Sequence, residues 1–298
     1  MAIRINEHYG RGGFGLSFEF FPPKNEEGEN RLDEAVEDLI QFNPSFITCT
    51  YGAGGSTRDK TLEIVKKIRD SRNLPVAAHL TCVGSTVDQL RSFLSEAQNL
   101  EIDYIVALRG DPPKGETEFK AVEGGLRYAN ELVALIRAEF PHFSMAVAGY
   151  PEVHVEAPSP QVDLENLKRK VDAGGDVVIT QLFYNNADFL RFRDDCIKAG
   201  IEVPIVPGVL PTTGAAHLKR MVSNCGAKLP SDLYDRMEAL GEDVEGQRKV
   251  GVEHCTQQLE ELIAEGVPGV HFYVINRAQP TGDILRSISI PHVDQSDW

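Results

Sequence analysis

A chain of 298 residues, 42% hydrophobic and 25% charged, has the composition of a globular protein with room for a large core. Its formal net charge of −15 argues against nucleic acid as its main partner, although a local basic pocket can still hold an anion. The five cysteines (Cys49, Cys82, Cys196, Cys225, Cys255) are odd in number and form no C-x-x-C pair, which argues against a disulfide framework or a zinc site and points to a reducing cytoplasm.

The opening segment, MAIRINEHYGRGGFG, has no apolar signal-peptide core, and Gly10 to Gly15 reads as a flexible lead-in. The run Leu16-Ser17-Phe18-Glu19-Phe20-Phe21-Pro22-Pro23 then alternates, with Phe18 and Phe20 on one face and Ser17, Glu19 and Phe21 on the other. Pro22-Pro23 ends that strand just after a lone carboxylate. Glu19 either pairs with an Arg and orients a loop or is a carboxylic acid kept protonated by apolar surroundings, which raise its pKa.

From here short β-branched runs alternate with segments of helical period. Phe46–Gly52 is followed by a helix capped at Ser56/Thr57, Val76–Cys82 by one carrying Val87, Leu90 and Leu94, and Tyr104–Asp111 by Arg127–Glu139. Ser144–Pro151 leads to Asp163–Val171, and Val177–Tyr184 to a helix after Asn185-Asn186. Pro204–Pro211 precedes helices beginning near Ala215 and Ser231 and a long amphipathic segment; Gly269–Asn276 is the last strand, with a short tail behind it. No stretch is long and apolar enough to span a membrane. Eight strand-like runs with helices between them predict a single (β/α)8 TIM barrel over residues 1–298. A doubly wound sheet is the alternative, but its G-x-G-x-x-G turn is missing after the first strand.

Active sites of such barrels lie at the C-terminal ends of the strands, where Glu19, Thr50, Tyr51, His79, Arg109, Asp111, Tyr150, His154, Gln181, Tyr273, Asn276 and Arg277 all fall. Taken singly, His79 reads as a core histidine, Arg109 with Asp111 as an ion pair closing a turn, and Asp163 with Lys170 as a solvated helix face. Gln181 at the end of a buried strand demands hydrogen-bond partners that a heteroaromatic ligand would supply.

The motifs SFEFFPPK, TCTYGAGGSTRD, AHLTC, ALRGDPP, AGYPEVHVEA, LKRKVDAGGD, ITQLFYN and HFYVINRA, in this order over nearly the whole chain, resemble methylenetetrahydrofolate reductase of the bacterial, catalytic-domain-only type. The resemblance implies a flavin-binding barrel with Thr50, His79, Arg109, Gly110, Asp111, Ala129, Tyr150, His154, Ala157, Asp163 and Lys170 around FAD. It implies hydride transfer from NADH or NADPH through FAD to methylenetetrahydrofolate in two half-reactions. Glu19 is then the acid for ring opening and Asp111 faces the pterin. Gln181, Tyr273 and Arg277 complete the folate site, Arg277 toward a folate carboxylate. No metal, nucleic acid or membrane partner is implied, and relatives form homo-oligomers. A barrel flavoenzyme of the proline dehydrogenase kind, a flavin-independent folate reductase and a silent binding protein remain as alternatives. The segment Thr212–Asp243 matches the family least.

Overall fold

The computed structural model describes residues 3–10, 13–50, 58–112, 115 and 119–291. Tyr51 and the expected cap Ser56/Thr57 lie outside the described residues.

A 3-10 helix, Ile5–Tyr9, precedes β1 (Gly15–Phe20), α1 (Glu26–Ile40), β2 (Phe46–Cys49), α2 (Arg58–Arg72), β3 (Val76–Thr81) and α3 (Val87–Asn99). The alternation continues through β4 (Tyr104–Leu108), α4 (Ala129–Glu139), β5 (Ser144–Gly149), α5 (Pro160–Asp172), β6 (Val177–Thr180) and α6 (Asn186–Lys198). After β7 (Ile205–Val206) and β8 (Gly208–Val209) come α7 (Ala215–Cys225), α8 (Ser231–Glu238), α9 (Val244–Ala264), β9 (Gly269–Tyr273) and α10 (Ala278–Ser287). All strand pairs are parallel, in the order β7-β6-β5-β4-β3-β2-β1-β9-β8. β7 and β8 are two halves of one interrupted strand. Before Pro207 it pairs with β6, after Pro207 with β9, and the barrel nearly closes through this switch. The (β/α)8 TIM barrel expected from the alternation is the architecture found.

The strands are shorter than the apolar runs because the chain leaves the ladder at its C-terminal end and turns into the site-bearing loops. The helices start where side chains satisfy their free N–H groups: Asn25 caps α1, Thr86 and Gln89 form a capping box on α3, and Ser159 caps α5 just before Pro160. The expected tail after the last strand is instead the helix α10. Its Pro280 sits in the first turn, where a missing N–H costs nothing.

Two apolar layers fix the barrel. Outward-facing residues such as Phe18, Phe20, Ile47, Leu80 and Phe272 pack against the helices. At the inner, N-terminal end, Ile5, Tyr9, Phe46, Tyr104, Val106, Ile179 and Val206 form a separate plug. The lead-in is therefore used structurally: its 3-10 helix seals the barrel floor, with His8 Nε2 2.9 Å from the Tyr104 hydroxyl and Arg4 paired to Asp176 at 2.9 Å. Gly15 makes room, since a Cβ there would meet the Tyr9 ring at 2.4 Å. With the floor closed, access is from the opposite mouth, over which α7 and α8 pack through Leu182, Leu210, Leu218 and Met237. No helix among the described residues is long and apolar enough to cross a membrane.

Candidate active site at the barrel mouth

The register of β1 on β9 sets Ser17 beside His271 and Glu19 beside Tyr273. The pleat turns all four into the barrel while Phe18 and Phe272 face the helices. Glu19 is 8% exposed, and its Oε2 lies 3.3 Å from His271 Nε2 and 3.2 Å from His79 Nε2. His271 Nδ1 contacts Ser17 Oγ at 2.8 Å, and Ser17 Oγ contacts the Tyr9 hydroxyl at 3.1 Å. A continuous polar chain thus runs from the barrel floor to the mouth through an apolar core. His79 Nε2 reaches Glu19 without hydrogen-bond geometry and has no other partner among the described residues, so it is not the satisfied core histidine expected from its sequence context.

The expected raised pKa of Glu19 is corrected here. Burial does push the carboxyl up, but the neighbouring His79 and His271 imidazoles, when protonated, outweigh it and hold the group at about 2. Glu19 is therefore a carboxylate between two imidazoles rather than a standing acid in an apolar pocket. Periodicity around Glu19 could not show this, because the compensating rings come from distant β3 and β9.

A second group gathers at the ends of β4 and β5. Arg109 makes a bidentate pair with Glu156 at 2.6 and 2.7 Å and lies 5.0 Å over the Phe119 ring; it does not form the turn-closing pair with Asp111. Tyr150 and His154 meet edge to face at 4.6 Å. His154 is fixed from two sides, its backbone N–H donating to Asp163 Oδ2 at 3.0 Å and its Nδ1 accepting from the Glu156 N–H at 3.1 Å. Its Nε2 consequently carries the proton in the neutral ring. Val153, a β-branched residue at φ 71°, takes up the backbone strain of this turn. Lys170 reaches back from α5 to donate to Ala148 O at 2.5 Å, 5.7 Å from the centre of the Tyr150 ring. Burial lowers its pKa to about 8, with Asp163 opposing and Arg109 adding to the shift. The solvated-face reading of Lys170 is thereby excluded.

Several expected residues surround these two groups. Thr50 is buried at the end of β2, Gly110 turns the chain at φ +87° where a Cβ would lie 2.6 Å from Val83, and Ala129 opens α4. Ala157 N–H closes the His154 turn at 2.9 Å. Asp111 is exposed, without a hydrogen bond or ion pair among the described residues. Its charge nevertheless contributes to raising the Tyr150 pKa, so it faces the same space.

The third sector is formed by β6, β8 and β9. Gln181 is half-buried, contrary to the expected full burial, with Oε1 accepting from Leu182 N–H at 2.9 Å and its amide nitrogen turned to no protein acceptor among the described residues. Tyr273 crosses the interrupted strand to donate to Thr180 O at 2.6 Å. Gly208 permits this, since a Cβ would lie 2.1 Å from Thr180 O and 2.8 Å from the Tyr273 hydroxyl. Arg277 lines a cavity of about 480 Å³ that also includes Tyr273. Sequence reasoning missed His271 and Glu156. His271 was legible, since it shares strand parity with Tyr273; Glu156 pairs across a loop, and no period announces it.

The methylenetetrahydrofolate reductase family model matches residues 4–289. The chain belongs to that family. It is 40% identical over 280 residues to the 5,10-methylenetetrahydrofolate reductase of Escherichia coli, covering 94% of this chain and 92% of the relative. A methylenetetrahydrofolate reductase (NADH) of Arabidopsis thaliana is 38% identical over 296 residues, which are 96% of this chain and 50% of the plant protein. The enzyme class expected from the motifs is that of these relatives. Among solved structures, an uncharacterized protein from Clostridium thermocellum described as binding two copies of 5-methyl-5,6,7,8-tetrahydrofolic acid superposes with a TM-score of 0.64. At 13% identity, with 95% of this chain and 98% of that one covered, it shares the fold.

Proposed function

We propose that the family reaction proceeds here with FAD held in the barrel mouth, NADH or NADPH as hydride donor, and methylenetetrahydrofolate as acceptor at the same site in a second half-reaction. The observation that carries this reading is the Glu19–His271–His79 cluster at the C-terminal end of β1, a buried carboxylate set between two imidazoles at the end of an apolar strand and facing the barrel mouth.

The residues fit a flavin dinucleotide. Lys170 and Arg109 supply cations, and His154 Nε2–H a donor, on one wall of the mouth, and Gly110 lets the chain turn closely beside them. Thr50, His79, Ala129, Tyr150, Ala157 and Asp163 line or brace the same wall and would complete the holding set. When bound, FAD supplies the hydride relay between the nicotinamide and the one-carbon unit.

The chain's own residues do the proton chemistry. Opening the five-membered ring of methylenetetrahydrofolate requires a proton on the departing amine nitrogen, a step for which a positioned acid typically contributes about 10²–10⁴-fold. Glu19 carboxylate with His271 imidazolium, and Glu19 carboxylic acid with neutral imidazole, hold the same number of protons. Displacement of water by the pterin favours the second arrangement, because neutral partners lose less on desolvation. As substrate covers the pair, the proton it holds passes through Glu19 to the departing amine nitrogen, and Glu19 is left as the carboxylate. Asp111 and the free amide nitrogen of Gln181 are placed to meet the pterin's donors and acceptors, Tyr273 to wall the substrate, and Arg277 to take a folate carboxylate. The donor is assigned as NADH on the naming of the plant relatives. We further read residues 1–298 as one catalytic domain, cytoplasmic by its free thiols and acting as a homo-oligomer.

Glu19→Gln tests the assignment. Flavin reduction by NADH should keep its rate within about threefold, whereas reoxidation by methylenetetrahydrofolate should fall at least about 10²-fold. Equal losses in both half-reactions would make Glu19 a structural residue.

A further inference from the structure

Alternate residues of β2 and β3 face different surroundings. Ile47, Cys49, Ala78 and Leu80 pack toward the helices, while Phe46 and Ala77 face the barrel interior. The same alternation turns Thr48 and His79 inward, and the register of β1 on β2 sets Thr48 beside Glu19. Thr48 is fully buried and His79 is 7% exposed, yet neither Thr48 Oγ1 nor His79 Nε2 has a hydrogen-bond partner among the described residues. Other hydroxyls of the barrel interior are paired. Tyr9 and Ser17 bond to each other, Tyr104 donates to Ile3 O at 2.8 Å, and Thr180 Oγ1 accepts from the Gly208 N–H at 2.9 Å. Two orphaned polar atoms beside one buried carboxylate call for a ligand, because each has lost its hydration without a replacement.

We propose that one water molecule bound by Thr48, His79 and Glu19 holds the Glu19 carboxylate in its working position, which makes Thr48 a positioning residue for the folate half-reaction. The inference rests on the folate reading above. The three groups define the ligand. A carboxylate only accepts, the Thr48 O–H donates, and His79 Nε2 meets Glu19 Oε2 at 3.2 Å without the geometry of a hydrogen bond. A water accepts from Thr48 and gives one hydrogen to Glu19 and the other to His79 Nε2, so that the proton of the neutral ring sits on Nδ1. An anion would meet Glu19 as a like charge, and no three His, Cys, Asp or Glu side chains among the described residues are placed to hold a metal ion. Without the water, the carboxylate keeps His271 as its one hydrogen-bond partner among the described residues and is free to turn about that contact.

Thr48→Val keeps the shape of the side chain and removes the hydroxyl, whereas Thr48→Ser keeps the hydroxyl. A crystal structure of the parent should show a water within about 3.2 Å of Thr48 Oγ1, His79 Nε2 and a Glu19 oxygen, and that of Thr48→Val should lack it. Reoxidation of reduced flavin by methylenetetrahydrofolate should slow about tenfold in Thr48→Val, the worth of one hydrogen bond, and stay within about threefold of the parent in Thr48→Ser. Flavin reduction by NADH should stay within about twofold in both. The direction of the stability change gives a second, independent result. A hydroxyl bonded to water loses that bond in Thr48→Val and the urea midpoint falls, whereas an unsatisfied hydroxyl is relieved by the same change and the midpoint rises. No water at this place in the parent, a midpoint that rises, or equal losses in the two half-reactions would overturn the proposal. A parent that holds the water but does not reoxidise its flavin with methylenetetrahydrofolate would leave the water site standing and defeat the folate reading instead, so the two failures are distinguishable.

Discussion

Lys170 shows how burial sets the working range of one side chain. With its pKa lowered to about 8, it is charged at neutral pH and loses its charge through pH 8, whereas in the unfolded chain it stays charged to near the ordinary 10.5. Between those values the unfolded state binds more protons, so this group's contribution to folding stability rises with pH. Its contribution to anion binding moves the other way. FAD affinity of the apoprotein should therefore fall from pH 7 to pH 9.5, and Lys170→Met should weaken binding at pH 7 while flattening that dependence. Equilibrium dialysis checks this; a parent profile as flat as the variant's would remove Lys170 from the flavin site. Glu19 is the opposite case. A carboxyl held at about 2 contributes stability that is complete above the ordinary carboxylate value of 4.5 and is lost as pH falls toward 2. Glu19→Gln should accordingly flatten the acid side of the urea-midpoint curve between pH 5 and pH 3, and an acid limb identical to the parent's would show that the imidazoles do not hold the carboxylate. Glu19 itself was legible in the sequence as a misplaced acid. Its charge state was not, because that depends on the register that brings His271 and His79 alongside.

At the scale of elements, the end of β9 decides where Arg277 points. Ile275 and Asn276 are both left-handed, at φ 51° and 53°, a conformation that costs a β-branched residue about 1–3 kcal/mol. The Asn276 side chain offsets this by taking the place of a strand: Oδ1 accepts from the Phe21 N–H at 2.9 Å and Nδ2 donates to Phe21 O at 2.8 Å. Asn276→Ala should cost about 1–2 kcal/mol of stability and raise the KM for methylenetetrahydrofolate more than it slows flavin reduction by NADH. Equal effects on both would show that the clamp only stabilises the fold. Gly208→Ala should be harsher, because a Cβ would press on both Thr180 O and the Tyr273 ring; a loss of about 1–3 kcal/mol in denaturant unfolding is expected, and an unchanged midpoint would refute the close approach. Strand order and helix order were readable from period and caps. The break at Pro207 was not: PIVPGVLP reads as one run, and only the change of partner from β6 to β9 reveals two halves. The plug Ile5–Tyr9 was equally hidden, since five residues ahead of a glycine carry no period and their task is set by the barrel floor they close.

For the whole molecule, the sealed floor and open mouth leave one end for chemistry, and residues from the ends of β1, β2, β3, β4, β5, β6 and β9 converge there. The Glu19 cluster on β1, β3 and β9 and the cationic wall at β4 and β5 suit two parts of the proposed reaction. These are the proposed proton delivery and cofactor retention. Both were partly visible as polar residues at strand ends. The central claim is that one site hands hydride from a nicotinamide to a folate through a flavin. The most direct measurement is the visible spectrum of the FAD-loaded protein without oxygen, recorded before NADH, after NADH, and after methylenetetrahydrofolate. The account predicts a yellow flavin that bleaches with NADH and recovers with the folate. A flavin that bleaches but is not restored, or a protein that binds no FAD and still reduces the folate, would contradict it.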